Sequence, residues 1–506
     1  MHLSYPFNLL DDCHVNYDVN QAYDIYEVDA RELLTFARFD IYANLFYLRA
    51  LDTNSCIKYA QDLYFARTAA ITGFKISEPG NLNKNNFADF VNAFAELFDS
   101  IKSRGFDDTK SLIPIDKSNI LIDGAHRLSI AAYLGLKVKV CKLSQEFDKP
   151  LTVPYSFFKS AGISQSFMDT MAIEFCRWHK NIHMLFIWPK AYVSPLKSKA
   201  DKFLEDNVNV VYRKKIKLTY NAIRNLILQI YHNVPWMGNI EEGFKWSYRK
   251  ADEEYYGDGS MEVVLIEDEQ GLEHITKVKA ELRSIYQIGL ESIHSTDTYE
   301  EAWIAANLMF NENSLHHLEN SKPDRFVKSF NLFMEYRRTL LDSGCNLEDY
   351  IIDSSMAMAL YGIREAGDLD YMRIDSAHDL VIDMNDDKRI ENNDKNIAYH
   401  KLSVSELIYN PENYYVFMGV KVLSLRNLVA FKLSRGKSKD LKDIKIIKPY
   451  LHGGTQIKKY IERLKLANRI RMKYLKSHMQ SGILKLLHWT RLYKPVRSIY
   501  RCIKRK

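Results

Sequence analysis

Two carboxylates one residue apart, Asp368 and Asp370, follow a serine pair, Ser354 and Ser355, in the run IIDSSMAMALYGIREAGDLDYMRI. The run reads as a strand, a Ser-Ser turn, a helix from Met356 to Tyr361, and a second strand bearing both aspartates. Residues i and i+2 of a strand share a face, so the two carboxylates can share one or two Mg²⁺ ions. The serine hydroxyls and the helix N-terminus would lie opposite, facing triphosphate oxygens. Candidates for a third ligand are Asp379, Asp383 and His400. The competing reading is a solvated strand edge, on which an Asp-x-Asp pair is common.

A second constellation lies in SNILIDGAHRLSIAAYLGLKVKVCKL. It predicts an apolar strand to Ile122, a turn at Asp123-Gly124, an amphipathic helix through Tyr133 and a strand from Val138. Upstream, FAELFDSIKSRGF predicts a helix capped by Gly105. The turn sets backbone N–H groups and a helix N-terminus beside a cationic pair, His126 and Arg127, an arrangement that suits phosphate. The plainer alternative makes Asp123 a helix cap, Arg127 a surface ion-pair partner and His126 an ordinary turn residue.

Helix, SIKSRGF, strand and LIDGAHRLSIAAYLG together resemble the ParB/sulfiredoxin-like fold over residues 75–145. Members include CTPases and small-molecule kinases such as the ParB-fold serine kinases. The resemblance implies that Asp123, Gly124, His126 and Arg127 contact phosphate or metal, with His126 in the catalytic machinery. It also calls for an upstream acid to deprotonate an acceptor hydroxyl, and Glu78 is the nearest. DNA partitioning, another activity of that fold, is disfavoured, because the module is not basic and no helix-turn-helix signal follows.

The serine turn, helix and Asp-x-Asp strand resemble the nucleotidyltransferase fold. Downstream, YVFMGVKVLSLRNLVAFKLSRGKSKDLKDIKII resembles the helical segment that closes the site in small members, including a Lys-Asp-x-x-Asp-Ile element at Lys439, Asp440, Asp443 and Ile444. By that resemblance Asp368 and Asp370 hold metal and carry catalysis, and Ser354 and Ser355 contact the triphosphate. Lys432, Lys439 and Arg435 would face incoming phosphates, although a solvated helix face accounts for them nearly as well. Asp353 stands where the first motif usually has glycine.

The elements that must position these groups imply an α/β and α+β multidomain chain, since 506 residues exceed what one core supports. The division is a ParB/sulfiredoxin-like module at 1–155, a central helical and α/β region at 156–324, a nucleotidyltransferase-like mixed sheet with helices at 325–455, and a basic helical tail at 456–506. The stretch 156–255 has helical spacing, whereas GDGSMEVVLIEDEQG predicts a strand from Glu262 to Ile266 and SIHSTD another. His294 and Asp297 end that second strand and could mark another site. Thr298 before Glu300 and Glu301 favours a helix cap instead. His316 and His317 are adjacent, the wrong spacing for a helical zinc pair.

The net charge of +6 is unevenly spread. Residues 457–506 carry 16 Lys and Arg against a single acid, Glu462, and the rest of the chain is mildly acidic. The tail mixes those cations with Ile, Leu, Trp and Tyr at helical spacing, which fits an anionic membrane surface. Nucleic-acid binding and packing on the acidic body are the alternatives. No window approaches the roughly 20 apolar residues of a spanning helix, and the first residues lack a secretory pattern. Six dispersed cysteines without a CxxC pair suit a reducing compartment. The expectation is a cytoplasmic enzyme, peripheral at the inner membrane face, that moves a phosphoryl or nucleotidyl group from ATP or CTP with Mg²⁺ to a sugar or small-molecule acceptor in bacterial glycan assembly. Alternatives are a nucleotide sensor without turnover and an RNA-directed nucleotidyltransferase.

Overall fold

The computed structural model describes residues 5–10, 16–78, 84–147, 151–378 and 389–451, with 461–462, 464–473, 475–476, 479 and 489 of the tail. Strand β1 (Tyr23–Asp29) is followed by three helices, α1 (Asp40–Asp52), α2 (Ile57–Ile71) and α3 (Phe87–Arg104). Helix α3 buries Phe90, Phe94, Phe98 and Ile101, one stripe at a spacing of three and four residues. Asn86 and Asp89 form a capping box at its start, and Gly105 ends it at φ 78°. β2 (Ile113–Ile115), α4 (Ala125–Leu134) and β3 (Lys137–Leu143) complete a three-stranded sheet of order β1-β3-β2. The strand expected up to Ile122 is reduced to one bridge between Leu121 and Ile115. The chain reverses tightly over Asp116–Asn119, leaving too few residues before the Asp123 turn to build a ladder.

The stretch expected to be helical holds two strands, β4 (Ile182–Ile187), reached through α5 (Gln165–Trp178), and β5 (Asn209–Lys217), which follows α6 (Lys197–Asn207). The reason is burial. Every residue of β4 is buried, so apart from His183 it reads as an apolar run without the alternation that marks a half-exposed strand. After α7 (Tyr220–Ile230) and α8 (Lys245–Glu254) come β6 (Ser260–Glu267), α9 (Leu272–Tyr286), β7 (Ile293–Ser295) and α10 (Tyr299–Met309). The four strands form a sheet of order β5-β6-β4-β7 with every neighbouring pair antiparallel. Thr298 caps α10 by accepting from the Glu301 N–H, as its sequence suggests.

Beyond α11 (Val327–Asp342) the C-terminal region contains β8 (Tyr350–Asp353), α12 (Ser354–Leu360), β9 (Leu369–Arg373), β10 (Ile390–Asn392), β11 (Tyr414–Phe417), β12 (Val420–Leu423), α13 (Leu425–Arg435) and α14 (Ser438–Ile447). Its mixed sheet runs β10-β9-β8-β12-β11, with β8 antiparallel to β9 but parallel to β12, and β10 parallel to β9. The whole is a mixed α/β architecture with three open sheets. One continuous apolar core joins residues from Ala30 to Ile447. Among the described tail residues, Leu466 and Ile470 pack against this core, and Arg469 donates to the Ala161 carbonyl. Ile461, Leu464 and Met472 point outward. No helix among the described residues is long and apolar enough to cross a membrane.

Candidate functional site

Glu78, Asp123, Gly124, His126 and Arg127, separated in sequence, line one cavity of about 830 Å³ between α2, α3 and α4. Gly124 begins α4 at φ 85°, and no side chain caps the helix, so its first-turn N–H groups are unclaimed by a cap. A Cβ on Gly124 would lie 2.8 Å from Arg127 Nη2. The missing side chain is therefore what lets Arg127 fold back over the turn toward Asp123, whose Oδ2 is 3.3 Å from Nη2. Glu78 pairs with Lys84 at 2.7 Å.

The described wall carries six cations, Arg38, Arg67, Lys75, Lys84, Lys110 and Arg127, against two carboxylates, Glu78 and Asp123. Arg38 and Arg67 are positioned from behind by Asp40. Arg38 Nε and Nη2 donate to its two oxygens at 2.9 and 3.0 Å, and Arg67 Nη2 donates at 2.8 Å. Burial alone pushes the Asp40 carboxyl up, but the two guanidiniums more than reverse this and hold it at about 2. The Arg67 Nε and Thr68 Oγ1 atoms are buried without hydrogen-bond partners. This wall was not legible in sequence, because Arg38 and Arg67 lie far upstream of the DGAHR run, in segments with no motif of their own. The expected cationic role of His126 does not hold. Burial, reinforced by Arg67, Lys84 and Arg127, drives its pKa well below the ordinary value, so the ring is neutral and exchanges a 3.0 Å hydrogen bond with the Tyr64 hydroxyl.

Around Ser354 and Asp370, a row of acids crosses three neighbouring strands. Asp353 on β8 is registered opposite Asp370 on β9, which is registered beside Glu391 on β10. Cross-strand partners share a face. Asp368, exposed just before β9, accepts from Ser355 Oγ at 2.9 Å. Burial raises the Asp370 carboxyl to about 6; the Ser354 hydroxyl opposes this, while Asp368, Asp353 and Glu391 add to it. The buried Ser354 hydroxyl lies beside Asp370 without a well-formed hydrogen bond. A cation at this row would relieve the repulsion that raises Asp370.

Several expected roles change here. Lys432 does not face incoming phosphates. It is buried, 2.7 Å from Asp443 and 3.5 Å from Asp440, because an ammonium on the inner face of α13 requires internal counter-charges. Arg435 holds both oxygens of Asp440, at 2.9 and 2.6 Å. Asp440 also receives the Lys437 N–H at the start of α14, so the Lys-Asp-x-x-Asp-Ile element is an internal brace. Lys439 alone of that set is exposed. His400 is no third ligand for Asp368 and Asp370: its Nε2 is 3.0 Å from Asp353 Oδ2, to which Asn393 also donates at 2.8 Å. Asp379 and Asp383 lie outside the described residues. The acid that joins the row is Glu391, which pairs with Lys395 at 3.0 Å; only the register of the three-residue strand β10 reveals it.

Mg²⁺ binds oxygen ligands and is commonly held by one or two carboxylates together with waters and substrate phosphates. Asp368 and Asp370 supply ligands of that type, while among the described residues no three His, Cys, Asp or Glu side chains converge on one point as a metal-holding group. Elsewhere, His294 is half-buried and His317 buried; they are lowered to about 4 and about 3 and occupied by the Tyr231 hydroxyl and the Leu360 carbonyl. Cys56, Cys141 and Cys176 are buried, and burial pushes their thiols up, which suppresses their nucleophilicity. Comparison with family models, with curated proteins and with solved structures gives no match.

Proposed function

We propose that this chain is a Mg²⁺-dependent transferase that takes a phosphoryl or nucleotidyl group from a nucleoside triphosphate, ATP or CTP, and passes it to a hydroxyl or phosphate acceptor. A sugar or small molecule of bacterial cell-surface glycan synthesis is the acceptor this reading favours. The observation that carries it is the cavity that gathers Glu78, Asp123, Gly124, His126 and Arg127 under a buried arginine pair. Within it, Arg67, Arg127 and the first-turn N–H groups of α4 hold phosphate oxygens. Glu78 takes the acceptor hydroxyl proton once Lys84 has moved to the phosphates. His126, neutral, orients through Tyr64 and carries no charge. The fold readings, ParB/sulfiredoxin-like around this cavity and nucleotidyltransferase-like around β8 and β9, belong to the same proposal.

A second reading, nucleotidyl transfer at Asp368 and Asp370, is favoured by the acidic row of Asp353, Asp370 and Glu391. There Mg²⁺, when bound, supplies charge neutralisation, and Ser354 and Ser355 hold triphosphate oxygens. Phosphorus NMR of the full chain with Mg²⁺, ATP or CTP and a mixture of sugars, sugar phosphates and serine separates the two. Nucleoside diphosphate with a new phosphomonoester, lost in Arg127→Ala, supports the cavity. Pyrophosphate with a new diester or diphosphate, lost in Asp370→Asn, supports the acidic row. Nucleotide binding with neither product identifies a sensor.

A further inference from the structure

Neither of these sites draws on the central antiparallel sheet, yet an open cleft of about 370 Å³ lies beside it, where the end of α7 meets the Pro235–Met237 turn, α8 and α9. That volume is at the small end of ligand sites, about 300–1,000 Å³, enough for a compact single-ring molecule. Trp236 and Trp246 stand at its mouth, 45% and 39% exposed. Leaving two indoles in water forfeits much of their burial energy, which marks the place as one that something covers.

Both rings pack on neighbours. Trp236 packs on Tyr231, centroids 5.2 Å apart at 53°, and the Tyr231 hydroxyl is tied to His294 Nδ1 at 3.0 Å. Trp246 lies against the turn at Gly238, where an added Cβ would be 3.7 Å from its Cδ1. The polar lining carries Arg249, Lys250 and Arg283 against Glu253. Lys250 pairs with Glu253 at 3.3 Å and with Glu254 behind it at 2.7 Å, and Arg249 lies 3.6 Å from Glu253, so the net excess is one positive charge, with Arg283 free of a carboxylate partner among the described residues. Arg249 stacks over Trp246 at 5.4 Å. Arg283 Nη2 donates to the Ile293 carbonyl at 3.2 Å, while its Nε is buried without a partner. Two parallel aromatic walls would sandwich a flat nucleobase. Here Trp236 is packed at 53° on Tyr231 and one indole, Trp246, is already covered by the Arg249 guanidinium, which suits a puckered ring that turns C–H groups to a single aromatic face and oxygens to the charges.

We infer that the cleft framed by Trp236, Trp246, Arg249, Lys250 and Arg283 binds an anionic sugar, a hexose bearing a phosphate or a carboxylate. The inference is independent of the transfer reading, since it uses no residue of the DGAHR cavity or of β9. Its test is calorimetric titration of the full chain, with saturation-transfer NMR, using glucose 1-phosphate, glucuronate, glucose, inorganic phosphate and AMP. One or both anionic sugars bind at least tenfold more tightly than glucose or phosphate, and the tighter of the two identifies the anionic group. Trp246→Ala and Arg283→Ala each weaken that binding at least tenfold, whereas Trp236→Phe, which keeps the ring and is the variant safest for the fold, largely retains it. Binding unchanged in both Trp246→Ala and Arg283→Ala, no binding of either anionic sugar, or tryptophan-dependent binding of AMP stronger than both, overturns the inference.

Discussion

Asp370 and Asp40 are both carboxylates among charges, and their surroundings drive them in opposite directions. Asp370 is raised to about 6 by burial and by acidic neighbours. A carboxyl with a folded pKa above its unfolded value is least costly when protonated, so the native state loses stability as pH rises from about 4 to 6, and the full cost stands above that. From the size of the shift the cost is at most about 3 kcal/mol. Asp370→Asn therefore raises the melting temperature relative to wild type at pH 7.5 and leaves it nearly unchanged at pH 4; a difference independent of pH would contradict the assignment. Asp40 is held at about 2 by Arg38 and Arg67, so its contribution is fully present above about pH 4 and is lost as pH falls toward 2. Removing one partner of a buried ion pair costs about 3–5 kcal/mol. Asp40→Asn is expected to lose that much in urea unfolding at pH 7 and to weaken Mg-ATP binding together with it, because both guanidiniums lose their anchor.

Among the elements, the β8–α12 turn rests on a backbone choice. Ser354 adopts φ 56°, a left-handed conformation that side chains rarely take. Asp353 replaces the glycine usual in the resembled motif, yet Asp353 itself is extended, at φ −122°, and uses its carboxylate to accept the Ser354 N–H at 2.6 Å. The residue that needs glycine's freedom is Ser354. Ser354→Gly is expected to be stabilising by about 1 kcal/mol in urea unfolding, and Ser354→Ala to bring no such gain. A loss of stability in Ser354→Gly would mean that the hydroxyl beside Asp370 outweighs the strain.

Across the whole molecule, the N-terminal helices and the C-terminal sheet are joined by buried charges. Arg49 donates to Glu174 at 2.6 Å, Arg177 bonds Glu348, and Lys421 lies 3.4 Å from Glu348. Burial opposes the Glu348 charge, but Lys421 and Arg177 hold its carboxyl at about 2. Glu348→Gln is expected to destabilise the chain by about 3 kcal/mol, since Lys421 stays buried and Arg177 half-buried with less counter-charge; urea unfolding monitored by tryptophan fluorescence measures it. The tail makes a different kind of prediction. With Leu466 and Ile470 facing the body and Ile461, Leu464 and Met472 facing out, residues 457–506 are expected to carry the chain onto anionic vesicles in sedimentation. That binding falls steeply with salt and is absent for neutral vesicles. Salt-sensitive retention of RNA in place of vesicles would favour the nucleic-acid reading.

The sequence by itself determined the local devices: the Thr298 cap, the stop at Gly105, the Asp123-Gly124 turn into α4, and the strand, helix and strand around Ser354 and Asp370, although Asp368 falls just before β9 and not on it. These follow from side-chain periodicity and from short-range hydrogen bonding, which act within a few residues. Only the tertiary structure decided which charges became internal and which acids met. Lys432 and Asp440 look solvated in a charged run but are sealed against each other, Arg38 and Arg67 reach the cavity beside Asp123 from remote segments, and Glu391 joins Asp370 through strand register. The charge of a side chain is written in its chemistry, whereas its desolvation and its partners depend on segments far away in the chain.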